Sequence, residues 1–255
     1  MTLGAAIDRR ETDVPRAGES ALAGRTVAMA ALDRPVIEAM FTLLSSHFAG
    51  VSRATFETDL REKHAVILLE DHDGTLRGFS TLLVYETTTC GDPVTVVYSG
   101  DTIVERAWWG TAALPKAWIH SVRRLAPAGG DLYWLLLTSG YRTYRFLPVF
   151  FRSFYPRHDD ASNGSAAAAR AMLDVIARER FGARYDAASG IVRFDRPYVL
   201  AGDLLDIPTG KAADAHVRCF LEKNPGFVVG DELACLTRIH DDNFTAAGRR
   251  MARGG

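Results

Sequence analysis

The sequence predicts an α+β protein: a mixed, mostly antiparallel sheet flanked by helices, with a further α/β stretch at the C-terminal end. Three observations carry that expectation. The β-rich runs Ala65–Glu70 and Leu76–Tyr85 are joined by Asp71-His72-Asp73-Gly74, and Asp-Gly between apolar runs is the strongest short-range hairpin signal. The run Val94–Val104 leads through a turn at Gly110 into Leu114, Trp118, Val122 and Leu125 at helical spacing, and then into the apolar strand Asp131–Thr138. Ahead of the hairpin, Val36, Ile37, Met40, Phe41, Leu43, Leu44 and Phe48 recur at helical spacing up to Gly50, a residue suited to a helix C-cap.

Each further element has its own warrant. Ser52 is placed to cap a short helix in which Phe56 and Leu60 lie one turn apart. Gly91-Asp92-Pro93 serves as the turn before the third strand. Tyr141–Pro156 reads as helical, with Phe146, Leu147, Phe150, Phe151 and Phe154 on one arc and Arg142, Arg145 and Arg152 on the other, and Pro148 either kinks this helix or opens a second one at N1. Asp159–Ser165 is loop in composition, Ala166–Arg180 is an Ala-rich helix, and Gly190–Phe194 a short strand. A helix near Lys211–Leu221, a turn at Asn224–Gly226 and a strand at Glu232–Leu236 follow. The expected organisation is a tail over 1–25, a core over 26–157 and an extension over 158–255 packed on that core.

Composition narrows the function. The 255 residues are 47% hydrophobic and 24% charged, and 30 Lys and Arg stand against 31 Asp and Glu. That balance gives no overall basic field for nucleic acid or anionic membranes. No apolar run approaches the ~20 residues that span a bilayer, so a cytoplasmic protein without a membrane partner is expected. Cys90, Cys219 and Cys235 form no metal clip and no even-numbered disulfide framework. Cys90 has no adjacent His, which argues against a cysteine nucleophile. No histidine pair has metal-ligand spacing, and no metal is expected.

The order helix, helix, hairpin, strand, glycine turn, helix, strand, helix over 35–157 resembles the GNAT acyltransferase superfamily. The residues that carry the resemblance are Gly78-Phe79-Ser80-Thr81 in the hairpin, the strand end Thr102-Ile103-Val104-Glu105, the turn Ala107-Trp108-Trp109-Gly110-Thr111-Ala112, and the apolar strand followed by Tyr141 and Tyr144. They cover about half the chain. The resemblance implies a sheet whose parting central strands admit a thioester donor, acyl-CoA in most of the family. The family cradles the donor's pyrophosphate on backbone N–H groups at a helix start, where unpaired donors form an anion site. Here that places Val104, Trp109, Gly110, Thr111, Ala112 and Ala113 at the donor, with Trp109 where the family has a basic residue, Ala112 where it has its first motif glycine, and Leu114 where it has its last small residue. The departure leaves two donors open: acyl-CoA held mostly by backbone, or acyl carrier protein or aminoacyl-tRNA docked on Arg142, Arg145 and Arg152. A non-catalytic binding module of the same fold is the third reading.

Acyl transfer to an amine needs a base, a donor for the oxyanion and an acid for the leaving thiolate. The resemblance implies a Tyr acid early in the helix after the apolar strand, at Tyr144 or its neighbour Tyr141. An aromatic on so apolar a helix also has the pattern of a core residue. Asp101, Glu105 and Glu86 at strand ends are the candidate bases. The expected acceptor is an amine or hydroxylamine of a small metabolite, and the chain is expected as a monomer or homodimer.

Overall fold

The hairpin expected around Asp71–Gly74 forms, as part of a much larger sheet. The computed structural model describes residues 22–89, 91–127, 129–160 and 164–253. Its strands are β1 (Ala23–Ala28), β2 (Phe48–Ala49), β3 (Ala65–Glu70), β4 (Leu76–Thr89), β5 (Asp92–Val104), β6 (Asp131–Thr138), β7 (Tyr185–Asp186), β8 (Ile191–Val192), β9 (Val199–Leu200) and β10 (Glu232–Arg238). The helices are α1 (Arg34–His47), α2 (Arg53–Arg61), α3 (Ala113–Leu125), α4 (Tyr141–Tyr144), α5 (Phe146–Phe150), α6 (Ala166–Phe181), α7 (Thr209–Ala212), α8 (Ala215–Lys223) and α9 (Ala246–Arg253). Eight strands join one sheet in the order β1-β3-β4-β5-β6-β10-β8-β7, and β2 pairs with β9 apart from it. Every pairing is antiparallel except β5 with β6, the pair that α3 connects. The mixed, mostly antiparallel class is the one the sequence predicts.

Local chemistry sets the ends of these elements. Asp33 caps α1 by accepting from the Val36 N–H at 3.0 Å, with Pro35 inside the first turn. Ser52 caps α2 through the Thr55 N–H at 3.2 Å, as expected. In the β3–β4 turn the Asp71 carboxylate accepts from the Asp73 and Thr75 N–H groups and from Arg77 Nε, while Gly74 takes a positive φ of 75° that favours glycine. β3 is buried on both faces: Val66 and Leu68 pack toward α1 and α2, Ile67 and Leu69 toward α3.

The sheet is covered by α3, α4, α5, α8 and α9 on one face and by two separate groups on the other. On that second face α1 and α2 cover Val66, Leu68, Phe79 and Ile103. Helix α6 covers Val96, Tyr98, Leu135 and Ala234. The space between the two groups lies over the end of β6 and the bend in β5.

Three expectations are corrected. Residues 1–21 of the expected tail lie outside the described residues, but Ala23–Arg25 already belong to β1, which pairs with β3 over its whole length. The segment Tyr141–Pro156 breaks near Pro148, as expected, into α4 and α5, but it is not helical to its end: Phe151 and Tyr155 make bridges to Phe244 and Leu236. The stretch 158–255 does more than pack on the core, because β10 lies against β6 from Leu233↔Thr138 to Arg238↔Tyr133 and adds β8 and β7 beyond it.

Candidate functional site

Strands β5 and β6 run in parallel register from Val94↔Asp131 to Ser99↔Leu136 and then part. At that point β5 bulges: between the pairs Leu82↔Ser99 and Ser80↔Thr102, Gly100 and Asp101 together face Thr81. A bulge bends its strand and re-aims a side chain. Glycine is needed at 100 because a Cβ there would stand 2.6 Å from Thr81 Oγ1 and 2.8 Å from Lys63 Cε. The gap between the strands opens on both faces of the sheet.

On the face of α1, α2 and α6 lies a cavity of about 600 Å³. Its walls include Asp59 and Glu62 of α2, Tyr98 and Asp101 of β5, Ser139 after β6, Glu232 of β10, and Arg196 and Tyr198 of the 193–200 segment. Two of these acids are spoken for. The buried Lys63 ammonium sits 2.6 Å from Asp59 Oδ1, and Arg180 holds Glu62 at 2.5 Å. Asp101 and Glu232 receive no hydrogen bond or ion pair from the protein among the described residues. Burial, followed by the charge of Asp59, pushes the Asp101 carboxyl up to about 7, with Lys63 pulling the other way. Burial, then Asp101 and Asp59, pushes Glu232 up to about 8. Such neighbours titrate as a pair rather than singly. The Tyr198 hydroxyl is buried without a partner, and burial with these same carboxylates raises it, so it remains a protonated donor at neutral pH.

On the face of α3 the gap is nearly closed. A slot of about 40 Å³ lies there, walled by Leu114, Trp118, Trp134, Phe146, Phe150 and Met251 among others. Both Trp118 and Trp134 donate their indole N–H to Ser99 Oγ, at 2.9 and 3.1 Å. Thr102 and Thr143 line slot and cavity alike, so the two spaces meet between the strands.

The expected donor turn is present in shape. Gly110 has a φ of 83° with open space around it, Thr111 donates its N–H to the Trp108 carbonyl, and Ala112 precedes α3, which begins at Ala113 and has no side-chain cap. Trp109 donates its indole N–H to the Val104 carbonyl at 2.7 Å, with the Arg106 and Arg142 guanidinium groups 5.2 and 5.1 Å from its ring centroid. The turn itself offers no basic side chain, and Pro115 removes one N–H from the first turn of α3. The slot, at about 40 Å³, is far smaller than an apolar cavity of ~150 Å³ that takes up benzene, so a thioester arm does not fit it as it stands.

Other sites expected from the sequence fall elsewhere. Tyr144 is fully buried, donates to the Pro156 carbonyl at 2.7 Å and packs against Phe154 and Phe220. It is a core residue, and Thr143 is the member of α4 that reaches the gap. Tyr141 is buried under the Arg142 guanidinium and lines neither space. Glu105 pairs with Arg77 at 3.1 Å, outside both spaces, and Glu86 stands in mid-strand in β4. The arginines form no single stripe, because the helix that would carry one is broken. Arg142 donates to the Leu204 carbonyl, Arg145 pairs with Asp214 and Arg152 reaches the Asp242 carbonyl. Cys90 lies outside the described residues. Asp71, His72 and Asp73 bring possible ligand atoms within 4.8 Å of one another, but the Asp71 carboxylate is committed to its turn and to Arg77. Among the described residues no helix is long and apolar enough to cross a membrane.

Of the cavity residues only Asp101 is a candidate from the sequence; Asp59, Glu62, Tyr98, Tyr198 and Glu232 are not, and for Glu232 the reason is plain. It begins a strand that was read correctly, but nothing in its spacing says which strand lies beside it.

No family model and no curated protein matches the chain. Solved structures match it in part. A probable N-acyltransferase of unknown function from Enterococcus faecalis is 15% identical with a TM-score of 0.40, over 51% of this chain and 33% of that one. A GNAT family N-acetyltransferase from Escherichia coli, in complex with CoA, is 18% identical with a TM-score of 0.36, over 49% of this chain and 68% of that one. An acetyltransferase from Trypanosoma brucei is 17% identical with a TM-score of 0.34, over 49% and 88%. The chain spans about a third of the length of the Enterococcus protein. What the chain itself shows is the α+β class: a mixed, mostly antiparallel sheet with one parallel pair, β5–β6, and a gap where that pair parts.

Proposed function

We propose that this protein is an acyltransferase that moves an acyl group from a thioester onto an amine held in the cavity beside Asp101 and Glu232. One observation carries the reading: two unpaired carboxyls, raised to about 7 and about 8, stand where the cavity meets the gap between β5 and β6. An amine arrives as an ammonium ion and has no lone pair until it gives up a proton. A carboxylate whose pKa lies near neutrality is a competent acceptor for that proton. Asp101, the lower of the two and the one on the bulge, is the base. Because the two titrate together, the pair carries at most about one negative charge near neutral pH, matched to a single ammonium. Tyr198 on the cavity wall offers its unpartnered hydroxyl as a donor.

The test is acylation of a panel of small amines by acetyl-CoA. For Asp101→Asn, kcat/KM should fall about 10²- to 10⁴-fold. In the parent enzyme the rate should rise with pH through the range of about 7 to 8. Full activity in Asp101→Asn, with an unchanged pH profile, sinks the assignment.

A further inference from the structure

The donor side raises a difficulty that the acceptor side does not. A slot of about 40 Å³ cannot receive a thioester arm, so one of its walls must move if the proposed reaction is to occur. Most of those walls are fixed: Trp118 and Trp134 are in contact at 4.4 Å between centroids and share Ser99, and α3 and β6 are built into the body of the fold.

Helix α9 is different. It supplies Gly248 and Met251 to the slot and packs on α3 and α5. Its polar anchors to the body are gathered at Thr245, whose N–H donates to the Phe150 carbonyl at 3.0 Å and whose hydroxyl donates to the Val149 carbonyl at 2.6 Å. Beyond that residue, Gly248 N–H returns to Thr245 Oγ1 and Arg249 to the Phe244 carbonyl, both within the same segment. Among the described residues no hydrogen bond or ion pair ties 246–253 to the rest of the molecule. An eight-residue helix is too short to be stable alone, so apolar packing holds it in place. Gly248 sets how close it lies, because a Cβ at that position collides with the Phe150 carbonyl and comes within 3.0 Å of the Phe244 ring.

We propose that α9 is a gate over the donor side, which swings out about Thr245 to admit a thioester arm of the pantetheine type beneath Phe146, Phe150 and Met251. This rests on the acyltransferase reading for its ligand, but its test does not depend on turnover. A closed resting state lowers apparent affinity by the fraction of molecules that are open.

The probes are coenzyme A and a holo-acyl carrier protein, which present the same arm free or on a protein. Coenzyme A binding is measured by calorimetry to the full chain, to a variant ending at Thr245 and to Gly248→Ala, which wedges α9 off α5 without deleting it. Both variants should bind tenfold or more tightly than the full chain. In the full chain, amides 246–253 should lose hydrogen-exchange protection when coenzyme A is bound. Weaker binding by both variants makes α9 a wall of the site and overturns the gate. So does unchanged protection in a saturated full chain, or no binding of either probe to any of the three proteins. Opening by the carrier protein alone keeps the gate and assigns the arm to a carrier. Acylation of amines with α9 protected throughout sinks the gate and leaves the acyltransferase reading standing. Coenzyme A binding through an opened α9, with no amine acylated, does the reverse.

Discussion

The two sides of the gap between β5 and β6 are built on opposite terms. The cavity side is roomy, about 600 Å³, and leaves Asp101 and Glu232 without partners. The slot side is closed to about 40 Å³ and satisfies its polar atoms internally, down to the two indoles on Ser99. One side leaves two carboxyls unpaired, at a cost to the folded state, and the other gains packing by closing up. The comparison teaches that close packing and open polar space are segregated across a single sheet, with Thr102 and Thr143 at the seam.

The largest expected effect tests the packed side. Trp134→Ala, which removes the indole in contact with both Trp118 and Phe151, should cost about 3–5 kcal/mol in urea unfolding. A loss below about 1 kcal/mol would mean that the slot is loosely filled, and the contrast with the cavity would collapse.

A smaller effect tests the charged side. Asp101 and Glu232 hold protons to about pH 7 and 8 in the folded protein, whereas unfolded carboxyls release theirs near pH 4. Between those limits the folded state binds more protons, so stability is greatest below about pH 4 on their account and is lost as pH rises through 7 to 8. His216, lowered chiefly by burial, acts in the other direction but only below about its ordinary value of 6.5; the Cys219 and Cys235 thiols, raised chiefly by burial, act in the same direction as the pair near pH 9, so the carboxyl variants measured beside the parent at pH 7 and pH 9 isolate the pair. The parent should melt lower at pH 9, and Asp101→Asn and Glu232→Gln should each recover about 1–2 kcal/mol there after screening. A parent equally stable at both pH values would show that the cavity carries no such strain.

The smallest effect separates the two sides at one residue. Tyr144→Phe deletes the hydroxyl bonded to the Pro156 carbonyl and should cost about 1 kcal/mol with kcat/KM unchanged. A large fall in kcat with unaltered stability would return Tyr144 to the chemistry that the family resemblance implies for it.

Local signals in the sequence proved dependable, and relations between distant segments did not. The Asp71–Gly74 turn, the helix after Gly110 and the strand at Glu232 all have short-range causes, and all form. Asp101 is legible because it is the carboxylate on the strand Val94–Val104, just ahead of the segment Thr102–Glu105 that carries the resemblance. β1 was missed because Ala23–Ala28 lack an alternating apolar pattern, and their pairing with β3 supplies what propensity does not. The arginine stripe assumed helix through to Pro156, while the chain leaves it after Phe150 to bridge Phe244. Glu232 becomes a partner of Asp101 only through the order β5-β6-β10, which periodicity does not encode.

The antiparallel partners of Tyr133–Thr138 are Leu233–Arg238, so a growing chain carries the outer edge of β6 bare for roughly a hundred residues of synthesis. At about 5–20 residues per second that interval lasts on the order of 5–20 seconds. The exposed segment is Asp-Leu-Tyr-Trp-Leu-Leu-Leu-Thr, an apolar strand with an open row of backbone donors and acceptors, and such an edge recruits other chains. A nascent chain stalled or cleaved in the loop after Arg157 should therefore aggregate or remain with a chaperone. The burden of keeping this protein soluble falls on the ribosome-bound interval before β10 arrives.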